Sequence, residues 1–260
     1  MPSQGRTDVL HEANLKQMRE LRPNLAILPW GATEAHNYHL PYGTDVVEAT
    51  ALGETATHRA NEQGARAVLL PTVPFGVDHS QLNQVATITM RASTQLAILN
   101  DVALSLTRQG IDRLIVLNFH GGNEFKPLIR DVMLDHRIFI VQASAFQLCP
   151  ELREMLEHPG DHADEFETSL MLHLKPQWVA PLDEADEGDT TPFALPALNR
   201  PGIWASRDWG ALTKSTGVGN PKESTAEKGE TIFEGLVTAL VPVIVELSQA
   251  NNGDFPFVLS

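Results

Sequence analysis

Short apolar runs alternate along this chain with longer amphipathic segments, and that alternation restricts the folds open to it. Leu25–Trp30, Ala67–Val73, Leu114–Phe119 and Ile138–Gln142 are rich in Leu, Ile and Val and read as strands. Val46–Gln63, Thr94–Gln109, Phe125–Leu134, Glu165–Leu174 and Ala226–Gln249 read as helices. In Thr94–Gln109 the apolar positions Leu96, Leu99, Val102, Ala103 and Leu106 follow a helical period that Gly110 ends. Gly64 and Pro176 stop two of the others, and Pro242 predicts a bend in the last. Apolar strands separated by helices predict a mostly parallel sheet covered on both faces, an α/β fold in three α/β/α layers. A chain of 260 residues is enough for one such domain, spanning 1–260. Leu182–Pro201, acidic and then proline-rich, is the least regular stretch and reads as a surface excursion, a lid or a subunit contact.

In parallel sheets, ligands bind beyond the carboxyl ends of the strands. Two polar loops begin at such ends. The first, after Leu25–Trp30, carries Glu34, His36, His39 and Asp45, with Pro41 and Gly43 breaking regular structure so that the later residues can fold back on the earlier ones. The second, after Leu114–Leu117, is Asn118-Phe-His120-Gly-Gly-Asn123, whose glycines let backbone pass close to a ligand. Asn123 could cap the following helix or donate a hydrogen bond to substrate. A third segment, His162-Ala-Asp-Glu165-Phe-Glu167-Thr-Ser169, places an imidazole and several carboxylates where a helix begins. Carboxylates there are favourable for dipole reasons alone, and with His162 they also offer a general acid or base and a metal ligand. Oxygen and nitrogen donors without thiolate suit Zn, Mn or Fe, and an Asp can bridge two ions through its two oxygens. Asp78-His79, following Ala67–Val73, either approaches the same place or belongs to a solvated loop.

Composition narrows the partners. With 33 acidic residues against 19 Lys and Arg, the formal charge is −14, which argues against nucleic acid or an anionic membrane as partner. Cys149 is alone, so no intramolecular disulfide forms; the expectation is an inert thiol in a reducing, cytoplasmic setting. The N-terminal residues lack a secretory pattern, and no apolar run of ~18 residues predicts a membrane span.

The three segments together resemble the creatininase family of amidohydrolases, whose pattern is roughly G-x-x-E-x-H-x-x-H-L-P-x-x-T-D, then H-G-G-N, then H-A-G-E-x-E-T-S. Glu34, His36, His39-Leu40-Pro41, Thr44-Asp45, His120-Gly-Gly-Asn123 and the segment from His162 to Ser169 carry the match, with weaker echoes that extend it from about Leu25 to Val243. The resemblance implies two divalent ions (Zn, Mn or Fe) and frequent assembly as a homohexamer. Glu34 and His120 would hold one ion and His36 the other, with Asp45 bridging and Glu165 as the remaining ligand. A water or hydroxide between the ions would attack an amide carbonyl, and His162 would donate a proton to the leaving nitrogen. Glu167 and His39 would stand behind the ligands. The expected substrate is a small polar amide, linear or cyclic, cleaved at a C–N bond other than an ordinary peptide bond. Alternatives are a deformylase or peptidase of the same family, or a metal-containing binding protein without turnover. Departures bear on the substrate: Gly122 stands where creatinine hydrolase carries a Glu, and no Trp lies between His120 and His162. Asp164 replaces a Gly of the pattern, and Asn37-Tyr38 replaces Gly-Pro.

Overall fold

The computed structural model describes residues 5–250. It contains a four-stranded parallel sheet in the order β2-β1-β3-β4, with β1 Leu25–Trp30, β2 Ala67–Leu69, β3 Arg113–Asn118 and β4 Phe139–Ser144. β1 and β3 are paired along their whole length, Leu25 opposite Arg113 and Trp30 opposite Asn118, and every residue of both is buried. This is why they carry no polar alternation: each lies under helices on both faces. β2 is shorter than the apolar run that contains it. Pro71 has no N–H for the ladder, and the chain rejoins β1 at Val73, whose N–H reaches the Pro29 carbonyl at 3.0 Å.

On one face α2 (Thr44–Glu62), α6 (Glu165–Leu174) and α8 (Ala226–Gln249) form a core with Ile27, Leu52, Leu69, Leu117, Phe166, Leu170, Leu236 and Leu240. On the other, α1 (Leu15–Leu21), α3 (Ala92–Arg108) and α4 (Phe125–Asp135) pack Leu99, Leu106, Phe125 and Val132 against Leu28, Leu114 and Val116. The three-layer α/β/α expectation is met. The helix α1 was not expected. Its apolar positions Leu15, Met18 and Leu21 make less than two full turns, and Asn14 closes it with a capping box through Gln17.

α8 runs 24 residues and continues through Pro242. Against the expectation from sequence, α8 is by length and mean hydropathy (1.7) long and apolar enough to cross a membrane. Its buried residues Ile232, Phe233, Leu236, Val237, Leu240 and Ile244 face α2 and α6, so packing within the protein accounts for that face. Arg113, at the start of β3, donates to the carbonyls of Leu247 (2.6 Å) and Ala250 (3.0 Å), a cation at the end where the last carbonyls of α8 lack helical partners. Leu182–Pro201 contains two short 3-10 turns, Leu182–Glu184 and Pro196–Asn199, and neither strand nor α-helix.

The topology fixes where a ligand can sit. β1 lies between β2 and β3; the helix after β1 covers one face and the helix after β3 covers the other. Their departures in opposite directions open a crevice at the carboxyl ends of β1 and β3. The loops carrying Glu34 and His120 leave from those two ends.

Candidate metal centre

Glu34, His36, Asp45, His120, His162 and Glu167 meet in that crevice, and all six are buried. Glu34 and His36 follow β1 directly, Asp45 stands in the first turn of α2, and His120 follows β3. Asp45 joins two groups. Its Oδ2 lies 3.1 Å from His120 Nδ1, which is also 2.8 Å from Glu34 Oε1. Its Oδ1 lies 2.8 Å from His36 Nε2, which is in turn 3.9 Å from Glu167 Oε2. Glu34–Asp45–His120 and His36–Asp45–Glu167 each bring three ligand atoms within 4.8 Å of one another.

Local bonds set the orientations. His36 Nδ1 lies 3.1 Å from the Glu34 carbonyl, so as an N–H it donates there and leaves Nε2 toward the carboxylates. His162 Nε2 lies 2.9 Å from the Ala35 carbonyl, which turns Nδ1 toward Glu34 Oε1 at 3.9 Å. The His162 ring packs on His36 with centroids 4.1 Å apart and meets the edge of Trp209 at 5.0 Å. The Ala163 N–H donates to Glu167 Oε2, and the side chain of Gln81 donates to Glu34 Oε2. Ala163 holds φ 49°, in the left-handed region that a residue with a Cβ enters only at a cost of about 1–3 kcal/mol, and its N–H is aimed at Glu167 from there.

The electrostatics are those of charge gathered out of water. Burial, with the Asp45 carboxylate adding, raises Glu34 to about 7 against the pull of His120. Burial likewise raises Glu167 to about 8, although His36 opposes it. Burial disfavours charge on His36, but Asp45 outweighs it and brings His36 up to about 10. Asp45 is held well below the usual carboxylate range, burial being overcome by His36 and His120. His162 goes the other way: burial, then the charge on His36, hold it well below its ordinary value. Glu48, one turn beyond Asp45 in α2, is buried with neither oxygen hydrogen-bonded, and burial beside Glu167 and Asp45 raises its pKa well above normal. Four carboxylates in so small a dry volume call for cations. The fit to metal shows in the atoms without hydrogen bonds: His36 Nε2 and Asp45 Oδ1 are both buried and face each other as two ligands of one ion would.

The structure does not bring Glu165 to this cluster. Its carboxylate accepts from Lys228 Nζ at 2.5 Å and from the backbone N–H groups of Glu157 and His158 at 2.8 and 2.7 Å, on the other side of α6. Glu167 occupies the place that motif reading gave to Glu165. His39 reaches Thr168 Oγ1 at 2.8 Å and ties the first loop to α6 without touching the cluster. Asn123 neither caps α4, whose N-cap is Glu124, nor is its amide free for a ligand. Its Oδ1 accepts from Val77 N–H (3.1 Å) and Gln95 Nε2 (2.7 Å), and its Nδ2 donates to Asn118 Oδ1 (2.9 Å). Asp164, the departure from the family's Gly, is the N-cap of α6. Its Oδ1 accepts from Phe166 and Glu167, its Oδ2 from Gly160 at 2.8 Å.

Above the cluster opens a cleft of about 1080 Å³. Phe146, Phe193, Ile203, Trp204 and Trp209 form its apolar walls, with Arg153, Asp161 and Arg207 among them. Trp204 and Trp209, for which the sequence leaves substrate stacking open beside a default of core or interface packing, both line this cleft. Trp30 is core, packed on Phe125, and Trp178 stands half exposed on the surface.

The family model for creatininase, described as creatinine amidohydrolase, matches residues 11–244. This chain belongs to the creatininase family. The mycofactocin precursor peptide peptidase of Mycobacterium ulcerans (strain Agy99) is 29% identical over 236 residues, covering 87% of each chain. The creatinine amidohydrolase of Pseudomonas putida is 26% identical over 241 residues, covering 85% of this chain and 88% of its own. Among solved structures, a candidate creatinine amidohydrolase from Bacteroides fragilis NCTC 9343 superposes with a TM-score of 0.87 at 38% identity, over 95% of this chain and 99% of that one. A manganese creatininase gives 0.77 at 22% identity over 94% and 100%, a likeness of fold. The family is one of hydrolases, as the motifs implied.

Three residues that shape the site were not singled out by sequence reading, or only loosely. Glu48 was legible, because it falls on the buried stripe Asp45, Glu48, Ala49, Leu52, Ala56 of α2. Asp78 was placed only near the site, and Gln81, on the turn that follows it, gave no signal.

Proposed function

We propose that this chain is a dinuclear metal-dependent amidohydrolase that cleaves a C–N bond in a polar amide. The observation that carries the reading is Asp45, shared between the triads Glu34–Asp45–His120 and His36–Asp45–Glu167. Glu34, Asp45 and His120 would hold one ion, and His36, Asp45 and Glu167 the other. Solved creatininases include a manganese form and a zinc–zinc form of a point mutant, which supports Mn or Zn here; Fe fits the same donors. Divalent ions in such a site polarise a carbonyl and lower the pKa of water.

The chain's own groups do the rest. His162, held neutral by burial, presents Nδ1 to the cleft as a proton acceptor. A proton taken there is available for the leaving nitrogen, so one imidazole serves as base and then acid. The Ala35 carbonyl fixes its tautomer, and Trp209 closes its outer edge.

For the substrate, the reading from departures is a small amide other than creatinine. A peptidase is favoured by one observation: the cleft of about 1080 Å³, walled by aromatics and arginines, is roomy for a single small ring. The mycofactocin peptidase relatives point the same way. Homo-oligomeric assembly, hexameric by family resemblance, and a cytoplasmic setting consistent with the free, buried Cys149 belong to the same proposal.

The test is metal content per subunit in protein purified without chelator, with Asp45→Ala alongside. About two ions in the wild type and a large loss in the variant support the reading and lead to a screen of short peptides, formamides and cyclic amides. A wild type that binds no Zn, Mn or Fe after reconstitution sinks it in favour of a binding protein without turnover.

A further inference from the structure

We propose that Asp78 is a positioning residue of the metal centre, holding the His120 imidazole so that Nδ1, and not Nε2, is presented to Glu34 and Asp45. The inference rests on the dinuclear reading above, in which His120 is a ligand.

His120 has two ring nitrogens in opposite surroundings. Nδ1 faces the carboxylates of Glu34 at 2.8 Å and Asp45 at 3.1 Å. Nε2 faces Asp78 Oδ1 at 2.9 Å and the Val77 carbonyl at 3.3 Å. Asp78 Oδ1, though nearer, lies off the N–H axis, and the straighter bond runs to Val77. The two acceptors bracket one N–H. A proton on Nε2 leaves the lone pair of Nδ1 directed at the cluster, the arrangement by which a carboxylate behind a histidine sets its tautomer and its basicity toward a metal.

Asp78 has no other evident employment. It is buried to 1% exposure, and neither of its oxygens makes a hydrogen bond of good geometry among the described residues. A buried carboxylate in that condition is costly unless a neighbouring cation or donor answers it, and the polar group that faces it is His120. Its backbone is fixed independently of the site. The Asp78 N–H donates to Thr89 Oγ1 and its carbonyl accepts from Gln81, each at 2.9 Å.

The ring is also clasped. A Cβ on Gly76 would stand 2.5 Å from His120 Cδ2, and one on Gly122 would stand 2.4 Å from His120 Nε2 and 2.3 Å from the Val77 carbonyl. Any side chain at 122 would therefore wedge between the imidazole and the acceptors behind it. Gly122 and Asp78 belong together: the missing side chain at one lets the ring lie against the other.

The experiment is a titration of metal-free protein with Mn²⁺ alone and with Zn²⁺ alone, comparing the wild type with Asp78→Asn, which keeps the size and removes the charge. Two sites are expected in the wild type. In the variant one of them should weaken about 10- to 100-fold while the other stays within about twofold, with the circular dichroism spectrum unchanged. A wild type that binds two ions together with a variant whose two affinities are unchanged overturns the role of Asp78 and leaves the dinuclear site standing. A wild type that binds no ion overturns both. Nitrogen-15 histidine spectra of the zinc-loaded wild type decide independently should Asp78→Asn fail to fold. His120 protonated at Nε2 is the expected result, and a zinc-bound Nε2 with a protonated Nδ1 overturns the proposal.

Discussion

Lys228 Nζ lies 2.5 Å from Glu165 Oε1, and this ion pair faces away from the cluster that Glu167 joins. Residues two apart on an α-helix point about 200° apart, so Glu165 and Glu167 cannot serve one site together. The pair also takes two backbone N–H groups, from Glu157 and His158, and so holds the segment before α6 in place.

Exchange of each carboxylate separates the two roles. Glu167→Gln is expected to lose one of two bound ions, whereas Glu165→Gln keeps both and loses about 1–3 kcal/mol of stability through its broken charged hydrogen bonds. Elemental analysis and urea unfolding of both variants check this. Loss of an ion from Glu165→Gln, with Glu167→Gln fully loaded, would return the motif's first Glu to the metal.

His162 is within ligand distance of Glu34 and His36 as well as being the candidate proton carrier. If it carries the proton, His162→Ala lowers kcat by about 100- to 10,000-fold and leaves metal stoichiometry intact. Ion loss in that variant would make it a ligand instead. The measurement is turnover and elemental analysis on one preparation.

His39 gives a pH dependence with a definite sign. Burial, and then the charge on His36, bring it down from 6.5 to about 4. The unfolded chain therefore binds this proton first as the pH falls. The contribution of a neutral His39 is complete above about pH 6.5 and disappears progressively toward pH 4, to a total on the order of 3 kcal/mol. Denaturant unfolding across pH 4–7 should show a steeper loss of stability in the wild type than in His39→Asn. Parallel curves would remove His39 from the account.

Much of the architecture follows from local chemistry. β1 has the predicted limits because Leu25–Trp30 is an uninterrupted apolar run, and α6 and α8 begin at their caps, Asp164 and Thr225. The short α1 was missed because so few turns carry little periodic signal, and β2 was overextended because Pro71 ends its pairing inside an apolar run. The donors Glu34, His36, Asp45 and His120 were readable because they cluster in the loops after β1 and β3, and His162 because it stands in an acidic segment just before α6. Motif order and spacing reveal such clusters without any knowledge of packing.

What the sequence determined by itself is the layer order, the family and the inventory of metal-binding chemistry, because these depend on periodicity and on residue type at short range. The tertiary structure decided which donors face inward. The phase of α6 turned Glu167 toward Asp45 and Glu165 toward Lys228. Packing of the Val77–Gln81 turn against the end of β3 put Asp78 behind His120. A segment without periodicity carried Trp204 and Trp209 over the cleft. Each of these depends on the angle and distance between elements far apart in the chain, and such relations are fixed only when the layers pack.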